Sequence, residues 1–199
     1  MSVAEYVAAF ISIMIGLALA DLATSLQRLL RAGARVRWDY LTPAAAILVT
    51  AFIINVWWAM FGALNAMRSL TVAGFIPDLI SLLLLFCLAS SALPDEIGER
   101  LDLADYYRST RTWLWGLFAL YTIWVTIVVG ARTVAANASM GAFLGNVVPN
   151  AVLASLMLVL AVTDRRWVHA ALISLLLLVT AAAWLPQELA GANPSGQPR

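Results

Sequence analysis

The stretch Tyr40–Met67, YLTPAAAILVTAFIINVWWAMFGALNAM, holds no charged residue. A helix that crosses a bilayer needs about 20 consecutive, mostly apolar residues, because the hydrocarbon core is ~30 Å thick. This stretch meets that demand with residues to spare. Other charge-poor stretches flank it. Upstream, Tyr6–Gln27 is interrupted only by Asp21. Downstream come Leu79–Pro94, Thr112–Ala131, Thr133–Thr163 and Trp167–Gln187.

The composition agrees. The chain has 199 residues, of which 63% are hydrophobic and 12% charged. A soluble domain carries roughly 25% charged residues, so polar surface is too scarce here to cover a water-soluble globule. A transmembrane barrel would show strands of about 10 residues that alternate apolar and polar. The runs here are continuous instead, as in SLLLLFCLA from Ser81 to Ala89. The expected fold is an all-α membrane protein, a bundle of about six transmembrane helices near 6–27, 41–65, 75–94, 112–131, 145–163 and 167–186. Residues 1–190 form one bundle and 191–199 (GANPSGQPR) a disordered tail. The neutral segment Val134–Gly145 reads as a loop, with Gly141, Gly145 and Pro149 leaving a re-entrant turn as the alternative. Ala-rich GLALA at Gly16–Ala20 could suggest a signal cleavage site, but Met1–Val7 lacks the positive charge such peptides carry, so no cleavage is expected.

All 12 basic residues are arginine. Arg28, Arg31, Arg35 and Arg37 follow the first stretch, Arg100, Arg108 and Arg111 precede the fourth, and Arg165 and Arg166 precede the sixth. The other side holds Arg68, Arg132 and Arg199. Short cytoplasmic loops carry the Arg excess, which predicts both termini extracytoplasmic. Trp38, Tyr40, Trp113, Trp115 and Trp167 then fall at the inner interface and Trp184 near the outer one, while Trp57 and Trp58 sit deeper.

The inventory narrows function. There is no Lys for a Schiff base, one His (His169) and one Cys (Cys87). That leaves no two-His metal site and no thiol pair. No phosphate-binding loop, H-E-x-x-H or G-x-S-x-G motif occurs. No enzyme activity, no cofactor and no nucleic-acid partner are expected. Cys87 reads as a packing residue and His169 as an interfacial polar residue.

Few polar groups fall inside the stretches. Asp21 reads either as a proton- or cation-sensing carboxylate or as a partner in an interhelical hydrogen bond or a pairing with Arg28. Asn55 lies about 13 Å from Asp21's level by helical rise, too far for a shared site. Small residues let membrane helices approach closely. Ala8, Ser12, Gly16, Ala20 and Thr24 form such a stripe on helix 1, and Ala51, Asn55, Ala59 and Ala63 a second on helix 2, which predicts packing of the two. Asp78 reads as a helix-capping acid or an ion entry point. Asp95–Arg111 (DEIGERLDLADYYRSTR), with Ile97, Leu101, Ala104 and Tyr107 at helical spacing, reads as a short amphipathic helix on the membrane surface or a partner-docking segment.

Two passages carry a likeness. Glu5–Tyr6 leading into Phe10, Ser12 and Gly16–Leu17, and Leu101–Trp113 (LDLADYYRSTRTW) before an aromatic helix, resemble a family of small bacterial multi-pass inner-membrane proteins with no assigned activity. The resemblance covers about the first two-thirds of the chain. It implies a bacterial inner-membrane location and transfers no activity. The expected role is a non-enzymatic accessory or assembly subunit, partnered by the lipid bilayer and by a second copy or another membrane protein. The alternative is a small transporter or channel, proton-coupled through Asp21.

Overall fold

The computed structural model describes residues 3–66 and 71–184. The chain forms an all-α bundle of six helices: α1 Val3–Ala32, α2 Leu41–Ala66, α3 Val72–Ser91, α4 Leu103–Ala135, α5 Met140–Val162 and α6 Arg166–Trp184. Each is long and apolar enough to cross a membrane, as befits a multi-pass membrane protein. The tail 191–199 lies outside the described residues.

α2 is the hub, packing against α1, α3, α4 and α6, while α4 and α5 form the most extensive pair. Leu41, Ile53, Leu85, Leu88, Trp115, Phe118, Met157 and Leu160 are fully buried between the helices. Outward faces remain apolar: Ile13, Leu17, Ile47, Leu83, Leu120, Ile127, Val152 and Leu178 are all exposed. Water would penalise that surface, whereas lipid accepts it.

Two helices are longer than their apolar stretches. α1 has 30 residues and α4 has 33, or about 45 and 50 Å at 1.5 Å per residue. Both therefore overrun a hydrocarbon core of ~30 Å. The extra turns of α4 absorb the supposed surface helix. Residues 103–111 are the start of α4 itself, with Leu103 and Tyr107 buried rather than laid on lipid. Asp102 caps this start by accepting the Ala104 N–H at 2.8 Å. At the other end, α4 and α5 are joined by a tight hairpin at 136–139. Asn137 takes a positive φ of 50°, which Asn tolerates better than most residues, and Ser139 caps α5. Gly141, Gly145 and Pro149 thus lie within α5, neither in a loop nor in a re-entrant turn. The missing signal was charge: nothing in Thr133–Thr163 marks where one helix stops.

The Arg-bearing connections meet at one end of the bundle. α1 terminates at Gly33, whose φ of +54° is the left-handed geometry glycine adopts at little cost. A 3-10 turn, Gly33–Arg35, leads into β1, Val36–Arg37. β1 pairs in parallel with β2, Leu101–Asp102, in the register Val36↔Leu101 and Arg37↔Asp102. Arg37 and Asp102 form an ion pair at 3.2 Å, Arg166 pairs with Asp39 and Arg111 with Asp164. The Ala104 N–H, and less strongly the Arg37 guanidinium, hold the Asp102 carboxyl below the usual carboxylate range.

Candidate functional site

A cavity of about 440 Å³ lies at the opposite end, among α1–α5. Its helices present residues at helical spacing. Tyr121, Val125, Val128 and Arg132 share one face of α4, Phe75 and Asp78 one face of α3, and Asn146 and Asn150 one face of α5. Val7 and Ile11 of α1 and Phe52, Val56 and Met60 of α2 supply apolar wall.

An ion pair stands on the wall. Arg132 donates to both Asp78 oxygens, at 3.0 and 2.8 Å, and to the Gly74 carbonyl at 3.3 Å. This two-pronged geometry is the strong form of the pair. Arg132 lies in the last turn of α4, where its charge complements the helix dipole, and Asp78 lies in the second turn of α3. Asp78 is not a capping residue: Thr71 caps α3 by accepting from Gly74 N. Trp124 donates to the Pro77 carbonyl and to the Ser81 hydroxyl, both at 3.2 Å.

Tyr121 differs from its neighbours. It is 3% exposed and lines the cavity, yet its hydroxyl has no hydrogen-bond partner among the described residues. The hydroxyl is not among the sealed, unpartnered atoms, so the cavity reaches it. The Asn146 amide donates to Thr133 at 3.5 Å and that of Asn150 to the Asn146 carbonyl at 2.8 Å. No hydrogen bond to either side-chain carbonyl oxygen is made by a described residue.

The polar residues singled out by sequence do not assemble into one site. Asn55 lines the cavity, but the protein occupies its amide: it donates to Ala51 O at 3.3 Å and accepts from Trp184 at 3.0 Å. Arg28 does not pair with Asp21. It donates to the Asp95 carbonyl at 3.0 Å, beside Ser25, which donates to the Asp95 carboxylate at 2.7 Å. Asp21 is half-buried, has no hydrogen bond or ion pair with a described residue, and lines neither cavity described here. The small-residue stripe is not the face α1 turns inward. Ile11, Ile15, Ala18, Leu22 and Leu29 are buried, whereas Ser12, Gly16, Ala20 and Thr24 are exposed and Ala8 half-buried. Of these, Ser12 meets α2, accepting from Trp57 at 3.3 Å. Cys87 is exposed rather than packed.

A second cavity, about 150 Å³, lies at the Arg-bearing end between Tyr107, Arg108, Arg111, Asp164, Arg166 and His169. His169 is buried among the helices at this end, 2% exposed. Trp115, read as part of an aromatic belt, is fully buried. The two are linked. Trp115 N–H donates to the Tyr107 hydroxyl at 2.9 Å, which donates to His169 Nδ1 at 2.7 Å. His169 Nε2–H then donates to the Thr163 carbonyl at 2.9 Å. The Thr163 carbonyl can only accept, which places a proton on Nε2; in the neutral imidazole Nδ1 then accepts from the Tyr107 hydroxyl, which in turn accepts from the indole. Arg111 also donates to the Thr163 carbonyl, while its buried Nε has no hydrogen-bond partner.

Between the two cavities lies a layer of rings. Trp115 stacks on Phe118 at 6.1 Å, and Phe52 meets Phe118 at 4.5 Å and Tyr121 at 5.3 Å. No family model, curated protein or solved structure matches the chain.

Proposed function

We propose that this chain is a non-enzymatic accessory protein of a bacterial inner membrane, with both termini extracytoplasmic, that holds a ligand in its larger cavity. The observation that carries the reading is the half-enclosed cavity itself. It falls within the ~300–1,000 Å³ typical of ligand sites, with mostly apolar walls and a few convergent polar groups. The orientation rests on the arginine excess of the connections that meet at one end. That excess makes the cavity open on the extracytoplasmic half. The packed rings of Trp115, Phe118 and Phe52 support a holding role over a conducting one, because Trp115 and Phe118 are buried in the bundle between the two cavities.

A second reading, a small transporter, draws on the second cavity beyond that layer. From Arg111 to Tyr121, α4 rises about 15 Å, so the two cavities could serve as alternately opened vestibules. Reconstituted vesicles separate the two. The holding role predicts saturable binding with no transmembrane flux of the bound molecule or of protons. Flux that Asp21→Asn abolishes while the protein stays folded would replace it with the transporter.

A further inference from the structure

Resting on the ligand-holding reading, we infer that the larger cavity takes a neutral, single-tailed amphiphile whose head carries hydroxyl or carbonyl oxygens. Three observations converge on that class. First, the charges on the wall cancel. Asp78 and Arg132 pair through two bonds and are together neutral. A charged head of either sign that approaches one member meets the opposing charge of the other beside it, so the pair offers little net attraction to an ion. Second, the polar capacity left over is neutral. The Tyr121 hydroxyl, 3% exposed and without a partner among the described residues, can donate to a ligand oxygen. The open side-chain carbonyls of Asn146 and Asn150 can accept from a ligand hydroxyl. Third, the other polar side chains of the wall, Asn55, Ser81 and Thr122, are bonded within the protein, and the remainder, including Ile11, Val56 and Phe75, is apolar and suits a hydrocarbon tail. The cavity reaches the Tyr121 hydroxyl, so a ligand oxygen placed there accepts a hydrogen bond in a largely apolar setting, which favours it over a bare hydrocarbon.

The test uses the full chain in detergent and radiolabelled 1-monooleoylglycerol, with oleate and oleylamine as charged competitors. Tyr121→Phe removes the hydroxyl and keeps the ring. Val125→Trp fills the cavity from α4. The expected result is saturable monooleoylglycerol binding, weakened about five- to tenfold by Tyr121→Phe, abolished by Val125→Trp, and competed poorly by oleate or oleylamine. Binding equal in wild type and Tyr121→Phe overturns the inference. So does preferential binding of oleate or oleylamine that Val125→Trp blocks, although the cavity then remains a ligand site. If Val125→Trp leaves the binding of all three probes unchanged, the ligand-holding reading falls as well. Thermal unfolding checks that each variant is folded, and Tyr121→Phe carries the decision if Val125→Trp is not.

Discussion

Replacing Tyr107 by Phe removes one oxygen and leaves two buried partners stranded. Trp115 is 0% exposed and loses the acceptor of its N–H. His169 loses the donor to Nδ1. A net hydrogen bond contributes about 1 kcal/mol, and an orphaned buried polar group costs about 1–3 kcal/mol. Hydrogen bonds within membrane bundles average nearer 0.6 kcal/mol in double-mutant cycles. Two bonds lost at once, with two groups orphaned, bring the expected destabilisation to about 2–3 kcal/mol. The ring itself stays, so no cavity term is added. The assay is equilibrium unfolding in mixed micelles of dodecyl maltoside and dodecyl sulfate, followed by tryptophan fluorescence. Coupling gives a second check. Tyr107→Phe and His169→Phe share the same hydrogen bond, so the double variant should cost less than the sum of the singles. A loss under 0.5 kcal/mol for Tyr107→Phe, or strict additivity with His169→Phe, would refute the relay.

Other positions are expected to respond according to burial and backbone geometry. Asp78→Asn breaks the two-pronged pair with Arg132. Because the side chains are 15% and 44% exposed, unfolding should register about 1–2 kcal/mol rather than the 3–5 of a fully buried pair. Swapping the two charges should restore only part of the loss, since the acid then placed in the last turn of α4 opposes that helix dipole. Arg37→Ala removes a pair whose arginine side chain is 84% exposed, and should change stability by less than about 0.5 kcal/mol. Gly33→Ala meets no steric neighbour but must hold φ at +54°, and should cost about 1 kcal/mol in the same assay. The folded Asp102 carboxyl lies below its ordinary value. Its contribution is therefore full above the ordinary aspartate pKa and fades as pH falls through the lower folded value. An Asp102→Asn variant should lose that acid dependence in a pH series of melting temperatures.

The helices were legible because hydrocarbon imposes length and continuity on each span. Tyr40–Met67 could be little else, and α2 begins at Leu41 as its flanking charges indicate. Ends set by hydrogen bonding rather than charge were harder to read. Capped by Asp102, α4 begins at Leu103, nine residues before the stretch that begins at Thr112, because Leu103 and Tyr107 are buried against neighbours that no local pattern reveals. The site was less legible still. Sequence drew attention to Asp21 as a lone carboxylate, yet a cavity is built by convergence of separate helices. Tyr121 and Arg132 sit eleven positions apart on one face of α4, and Asn146 and Asn150 four apart on α5. Those spacings were available, but only tertiary packing shows that the two faces meet Asp78. His169 shows the same limit: its partner Tyr107 lies 62 residues away along the chain, so nothing local marked it as buried.

The most direct test of the central claim is modification of Val125→Cys, in a Cys87→Ser background, by a small membrane-impermeant thiosulfonate. Val125 lines the larger cavity, and its reactivity reports both an open cavity and the side on which it opens. Modification in spheroplasts but not in inverted membrane vesicles, slowed by monooleoylglycerol, is the predicted result. Modification only in inverted vesicles, or from neither side, would contradict the claim.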